Sequence, residues 1–376
     1  LSDLTLILLA AGDATRFGEG VKKQWLRIGS DPLWLTVARR FESMHLFERI
    51  VVASHPEEIT YMRRYADYLF TPGGTSRQAS LLNALEAVRT PLVLVSDVAR
   101  ACVGEEVCRR LLEAIGDADC AVPTLGVSDT VYYDGRPVDR EKVLRIQTPQ
   151  LSRTESLRTA LRSPGNFTDE SSAIVHAGGR VVFVEGDESL HKLTFRDDIR
   201  HLPCLRGEGP DTSLTFTGTG YDVHAFEPGG RMVLCNVPIE AGYGFKAHSD
   251  GDVAIHALID ALLGAAGMGD IGGLFPDTDD AYAGADSGEL LQKVVQMVRN
   301  CGFRILHADL TIAAQVPKLS PYKERMGRRI AELLQIPPPM VNVKATTTEG
   351  LGFVGRKEGV AVTAAATLTF HDWTRP

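Results

Sequence analysis

No C-x-x-C pair occurs in this chain, and its six cysteines, at positions 102, 108, 120, 204, 235 and 301, form no dense framework. That spacing argues against a disulfide-stapled scaffold and leaves buried, reduced thiols in a cytoplasmic protein as the expectation. An excess of positive charge is missing too, since the formal net charge is −8. A general nucleic-acid or membrane-surface partner is therefore not expected, although local basic clusters can still bind small anions. The apolar opening from Leu4 to Ala11 has no basic segment before it and is too short to span a bilayer. It reads as a buried first strand, and no membrane segment is expected. Nor is there a P-loop or other recognisable kinase loop.

What the chain does contain is enough apolar material for two cores in 376 residues. The densest chemistry lies in Ala247 to His256, where His248 and His256 flank a carboxylate-rich turn ahead of an apolar helical pattern. Upstream, Asp222 and His224 are two residues apart, a spacing that puts both on one face of a strand. With His256 delivered by a helix starting near Ser249, the three residues match a catalytic zinc site with one open position. The same residues also suit a strand end and a helix cap, and spacing alone leaves both readings open.

The first half alternates strands and helices: strand Leu4–Leu9, helix Leu33–Phe41, strand Ile50–Ala53, helix Glu57–Tyr65 and strand Tyr68–Phe70. Such alternation predicts a Rossmann-like α/β domain with a mostly parallel sheet and helices on both faces. The loop after the first strand carries Gly12, Arg16, Lys22, Lys23 and Gln24, which suits a phosphate. Thr71 to Gln78 opens a further helix with Arg77, and Ser80 follows. Asp97 stands just past a strand's end, where open α/β sheets bind ligands, and suits a magnesium ion or a turn.

Taken together, Ala10-Ala11-Gly12 with Arg16, Lys23-Gln24, Gly73-Gly74 with Arg77, Asp97 with Arg100, Asp139-Arg140, Thr148-Pro149-Gln150, Thr168-Asp169-Glu170 and Lys192 resemble the 2-C-methyl-D-erythritol 4-phosphate cytidylyltransferase family over residues 5–202. The resemblance implies attack of a sugar-alcohol phosphate on the α-phosphate of CTP, a reaction that depends on positioning and charge stabilisation. It implies that Arg16 and Lys23 stabilise the transition state and that Arg140 and Lys192 orient methylerythritol phosphate. Gly12, Gly74, Arg77, Ser80 and Asp97 would line the CTP site and its Mg2+ (or Mn2+). Two departures are visible: Val21-Lys22 stand where the family usually has a proline, and Ser96 to Ala101 replace its usual His-Asp-Ala-Ala-Arg-Pro.

Residues 204–212 read as a linker between a domain at 1–203 and another at 213–376. Beyond it, strand Leu214–Tyr221, a hairpin partner at Met232–Val237, helix Ser249–Gly264, helix Ser287–Arg299, strand Ala308–Ala313, a helix opened by Gln315 to Lys318, strand Val341–Ala345 and a last strand Val360–Phe370 predict an α+β domain, a sheet packed on helices. Thr346-Thr347-Thr348-Glu349 with Arg356 suit a diphosphate.

The motifs Tyr221 to His224, Ala247 to Asp252, His256, Asp270 to Gly272, Phe275 to Asp279, Lys344 to Glu349 and Gly352-Phe353 with Gly355-Arg356 closely resemble 2-C-methyl-D-erythritol 2,4-cyclodiphosphate synthase over residues 214–370. The resemblance implies zinc on Asp222, His224 and His256, with a second divalent ion bridging phosphates through Glu349. His248 and Thr347 would stabilise the transition state beside Ser249. Gln315, Pro317, Lys318, Thr346, Thr347 and Thr348 would hold cytidine and phosphates; Asp270, Gly272, Phe275, Asp277, Asp279 and Phe353 would line the rest of the substrate site. A trimer or a multiple such as a hexamer is implied, with sites between subunits.

The two resemblances imply one bifunctional enzyme of non-mevalonate isoprenoid precursor synthesis. A separate kinase must phosphorylate the 2-hydroxyl between its two steps. The alternatives are a sugar-phosphate nucleotidyltransferase in the first half and a zinc-stabilised oligomerisation module in the second.

Overall fold

The computed structural model describes residues 3–12, 17, 20–247, 249–276 and 284–375. The chain divides after Pro210 into two compact units.

The first unit begins β1 (Leu4–Leu9), β2 (Arg27–Ile28), β3 (Asp31–Pro32), α1 (Leu33–Glu42), β4 (Arg49–Ser54), α2 (Pro56–Met62), β5 (Leu69–Pro72), α3 (Arg77–Leu85), β6 (Leu92–Asp97) and α4 (Glu105–Ala114). It continues with β7 (Cys120–Leu125), β8 (Val131–Tyr133), β9 (Arg136–Val138), β10 (Arg145–Ile146), β11 (Gln150–Arg153), α5 (Thr154–Arg162), α6 (Glu170–His176) and β12 (Val181–Glu185). Its main sheet has the order β10-β7-β11-β6-β1-β4-β5, with β12 also on β7. The β6-β1-β4-β5 half is parallel, as is β12 on β7, whereas β10 and β11 pair antiparallel.

All six residues of β1 are buried. A central strand covered on both faces has no solvent side, which is why it reads as a continuous apolar run rather than an alternating one. Ile7 and Leu9 face a core shared with Leu81, Leu85, Leu157 and Ile174 of α3, α5 and α6; Leu6 and Leu8 are equally buried.

In the second unit, β13 (Thr215–Pro228), β14 (Met232–Leu234), β15 (Val237–Ile239), β16 (Tyr243–Phe245), α7 (Val253–Ala266), α8 (Ile271–Leu274), α9 (Ser287–Asn300), β17 (Phe303–Ala313), α10 (Lys323–Leu334), β18 (Val341–Thr346), α11 (Gly352–Gly355) and β19 (Gly359–Phe370) follow in order. Five of these strands make a sheet, β16-β13-β19-β17-β18. The helix α7, apolar on nearly every face, is buried against it.

Four expectations need correction. Met232–Val237 is not the hairpin partner of β13: Cys235 and Asn236 both adopt positive φ and close a tight turn, so β14 pairs with its own sequel β15. The next helix opens at Lys323, not at Gln315. Cys102 and Cys204 form a disulfide, with Cα atoms 5.5 Å apart, because the loop after β6 and a 3-10 turn at Pro203–Leu205 meet in the fold; the other four cysteines are free and buried. The start of the expected linker is likewise tied down, since Leu205 is buried and Gly209 accepts a hydrogen bond from the Gly29 amide. Among the described residues no helix is long and apolar enough to cross a membrane.

Candidate active sites

In the first unit the ends of β6 and α3 bring charge together. Asp97, the last residue of β6, accepts from Lys192 Nζ at 2.7 Å and Arg77 Nε at 3.4 Å. Arg77, in the first turn of α3, also donates to Glu170 Oε1 at 2.6 Å, and Glu170 is completely buried. Burial works against ionising Asp97, but Arg77 and Lys192 outweigh it and hold the carboxyl down at about 2. The same two carboxylates push the Arg77 guanidinium up against the cost of its own burial. Arg100 bonds Thr148 Oγ1 at 2.9 Å and the Leu190 carbonyl, which fixes the segment carrying Lys192.

Beside this cluster Lys23 Nζ reaches the Leu193 carbonyl at 2.9 Å. Ser80 Oγ accepts from the Gly74 amide at 3.0 Å, and among the described residues nothing lies within 4 Å of where a Cβ on Gly12 would be. A cavity of ≈ 330 Å³ is lined by Arg100, Arg145, Gln147, His191 and Lys192. A larger one of ≈ 460 Å³, beside Glu42 and Tyr68, holds none of the expected site residues. Arg140 is not brought to the cluster: among the described residues it bonds Ser128 and Glu141 nearby in sequence. Arg16 lies outside the described residues.

In the second unit, Gly218 and Gly220 of β13 decide the geometry. A Cβ on Gly220 would sit 2.0 Å from the Ala257 carbonyl oxygen, and one on Gly218 would sit 2.2 Å from that of Ala261. Only glycine lets α7 approach β13 so closely. His256 on α7 thereby meets Asp222 and His224, which follow on the same face of β13. Asp222 Oδ2 lies 3.3 Å from His256 Nδ1 and 3.4 Å from His224 Nε2. One ligand atom from each residue lies within 4.8 Å of the others.

The outward nitrogens are engaged elsewhere. His224 Nδ1 lies 2.9 Å from the Gly251 carbonyl; His256 Nε2 lies 3.0 Å from Ser287 Oγ and 3.3 Å from Ser249 Oγ. Donating those protons would leave His224 Nε2 and His256 Nδ1 with lone pairs for a cation beside Asp222; in its other tautomer, or protonated, His256 donates from Nδ1 to Asp222 Oδ2. Burial lowers the His256 pKa, but the Asp222 hydrogen bond and charge outweigh it and raise it. Asp222 is held low by both imidazoles despite its burial. Two imidazoles and one carboxylate with an open side suit a divalent ion of zinc's preferences.

At the other side of the sheet, Val223, Ala361, Ala313 and Thr346 share one rung. Three strand spacings, about 14 Å, separate Thr346 from β13. Thr347 Oγ1 donates to Glu349 at 2.9 Å and Thr348 Oγ1 to the Leu351 carbonyl at 2.7 Å. The turn there is sterically tight, since a Cβ on Gly355 would fall 2.1 Å from Gly350. Arg356 pairs with Glu358 instead of turning toward the threonines. Among the described residues, Gln315 Oε1 is buried without a hydrogen-bond partner, beside Pro317 and exposed Lys318. Asp270 caps α8 by accepting from the Gly273 amide at 2.9 Å, leaving Gly272 exposed and Phe275 half-buried. Phe353 is exposed. His248, Asp277 and Asp279 lie outside the described residues.

Sequence reasoning missed Ser287 and the two β13 glycines, which are far from the metal residues in sequence or carry no side chain to notice. It also missed Glu58, a buried carboxylate on α2.

A cation-lined sheet end and a cluster of two histidines and one carboxylate that could hold a metal ion suit a phosphoryl-transfer enzyme with two centres. Residues 4–202 match the family model for 2-C-methyl-D-erythritol 4-phosphate cytidylyltransferase, and residues 215–369 match the YgbB family. A bifunctional enzyme IspD/IspF from Sulfurovum sp. (strain NBC37-1) is 57% identical over 373 residues, covering 99% of each chain. Another from Sulfurimonas denitrificans is 52% identical over 375 residues, covering all of this chain and 96% of that one. The solved bifunctional IspDF of Campylobacter jejuni superimposes with a TM-score of 0.87 at 47% identity, covering 100% of both chains. The chain belongs to the bifunctional IspD/IspF family. It is an enzyme of the methylerythritol phosphate isoprenoid route with cytidylyltransferase and cyclodiphosphate synthase activities, and its family is metal-dependent.

Proposed function

We propose that the first unit binds CTP with magnesium beside Asp97 and that Lys23, together with Arg16, stabilises the charge that develops as methylerythritol phosphate attacks the α-phosphate. Gly12, Gly74 and Ser80 lie along the nucleotide, where backbone amides serve as anion donors. Lys192 is held on Asp97 until an incoming phosphate competes for its ammonium; Arg140, in the exposed 3-10 turn after β9 and away from this cluster, would have to be brought to that phosphate to orient it. Arg77, itself held by Glu170, keeps Asp97 ionised and in place together with Lys192. Positioning and charge neutralisation of this kind suffice for phosphoryl chemistry.

In the second unit Asp222, His224 and His256 would hold zinc, and their mutual geometry is the observation that carries this reading. Zinc supplies a Lewis acid and a template for the diphosphate. His248, Ser249 and Thr347 steady the phosphates while the substrate's 2-phosphate attacks its β-phosphate and CMP leaves. Glu349 would hold a magnesium or manganese ion between phosphates. Gln315, Pro317, Lys318, Thr346 and Thr348 take the cytidine end, which matches a buried, unpartnered Gln315 oxygen. Asp270, Gly272, Phe275, Asp277, Asp279, Phe353 and Arg356 enclose the remainder.

The separation between Thr346 and the metal cluster within one chain exceeds what a diphosphate spans. We therefore pair the cytidine loop with the metal cluster of a neighbouring subunit, in a trimer or a hexamer built from trimers. Exposed Tyr221 and Val223 on β13 support a covered face there. We place the enzyme in the cytoplasm, where CTP and a separate kinase are available, without nucleic-acid or membrane partners.

The test is Asp222→Ala. Zinc per subunit should fall from about one to none and CMP release should drop by at least about 100-fold, while cytidylyl transfer and assembly size stay as in the parent. Cyclisation that survives loss of zinc would remove this reading. CMP release lost with assembly intact would exclude a zinc site that serves oligomerisation alone.

A further inference from the structure

Among the described residues, the loop that carries Lys23 has a single 3-10 turn of its own, over Lys23–Trp25. Its neighbours all end on one carboxylate. Glu58, in the first turn of α2 and 5% exposed, accepts from Lys22 Nζ at 2.6 Å through Oε1. Through Oε2 it accepts from Trp25 Nε1 at 2.8 Å, Gln24 Nε2 at 3.2 Å and Ser54 Oγ at 3.4 Å.

Three of four consecutive side chains are thus drawn inward to the same two oxygens. The indole they anchor is wedged edge-on between Trp34 and Tyr65, at 6.3 and 6.0 Å between ring centroids. Lys23 alone of residues 22–25 extends the other way, to the Leu193 carbonyl next to Lys192. A buried carboxylate holding four donors, one of them an ammonium, has its acceptor sites engaged and faces the core. It is placed to fix the loop and not to touch substrate.

We propose that Glu58 is a positioning residue of the cytidylyltransferase site, pinning residues 22–25 so that Lys23 is aimed at the reacting phosphate of CTP. The inference rests on the reading that Lys23 works at that site. Because residues 22–25 form only one 3-10 turn, the aim of Lys23 is set by side-chain anchors, and a misplacement of about 1 Å in a positioned group lowers the rate by on the order of 100-fold.

The test uses the full chain, whose second activity is an internal control. Glu58→Gln keeps the shape and an acceptor but removes the charge; Lys22→Met removes the partner; the double variant and Lys23→Ala complete the set. Kinetics of cytidylyl transfer and of cyclisation are measured on the same preparations. Glu58→Gln should lower kcat about 10- to 100-fold with KM for CTP changed less than about threefold, and cyclisation unaltered. Lys22→Met should lower kcat by several-fold, and the double variant should be no worse than Glu58→Gln alone, because both act through one contact.

A merely structural Glu58 would leave kcat intact in the folded fraction or move KM and kcat together. Either result overturns the proposal. If Glu58→Gln does not fold, Lys22→Met decides, with an unchanged kcat counting against it. Parent-like kcat in Glu58→Gln alongside an inactive Lys23→Ala refutes the role of Glu58 and leaves the site reading standing. A fully active Lys23→Ala would instead remove the site reading itself.

Discussion

Asp97 shows how single residues set up the first site. It is an almost fully buried carboxylate kept ionised by Arg77 and Lys192, with its pKa down at about 2. A carboxyl depressed in the folded state stabilises the protein above its unfolded pKa, near 3.9, and that contribution disappears as pH falls through about 2. The stability gap between the parent and Asp97→Asn should therefore be constant above about pH 5 and shrink by about 2 kcal/mol toward pH 2. Denaturant unfolding of both proteins across that range is the check; a gap independent of pH would mean that Asp97 is not held ionised by its partners. At this scale the sequence was partly legible. Asp222 and His224 could be placed on one strand face because strand periodicity is local, and Asp97 could be placed at a strand end. Glu170 behind Arg77 and Glu58 beneath Lys22 could not be paired, because the partners lie 93 and 36 residues apart. The departure at Val21-Lys22 acquires a meaning only in the fold, where Lys22 is the ammonium that Glu58 holds.

At the scale of elements, the second site depends on how closely a helix lies on a strand. The apolar run of α7 announced a buried helix, and the continuous run of β1 a buried strand, since burial on all sides imposes both patterns. The distance between α7 and β13 was hidden, because it is set by glycines that show no side chain. Gly220→Ala should press its Cβ on the Ala257 carbonyl, shift α7, and carry His256 away from Asp222. We expect a loss of about 1–3 kcal/mol in unfolding free energy and loss of zinc binding. Gly242→Ala, where a Cβ meets nothing within 4 Å, should change neither. Equal zinc content and stability in the two variants would contradict the close-approach argument. The β14–β15 hairpin eluded the sequence for a related reason: positive φ at Cys235 and Asn236 is a backbone property that neither side chain declares.

For the whole molecule, the consequence of joining these two units is chemical rather than geometric. On the function proposed here, the first reaction ends on a 2-hydroxyl that the second needs as a phosphate. The two steps are therefore expected to need a separate kinase between them. The most direct measurement supplies purified enzyme, its divalent metals, CTP and methylerythritol phosphate, with or without the separate kinase and ATP, and follows the phosphorylated products. Without the kinase, CDP-methylerythritol and pyrophosphate are expected and nothing further. With it, the cyclic diphosphate and CMP should appear. Cyclic product formed without kinase, or none formed with it, would contradict the account.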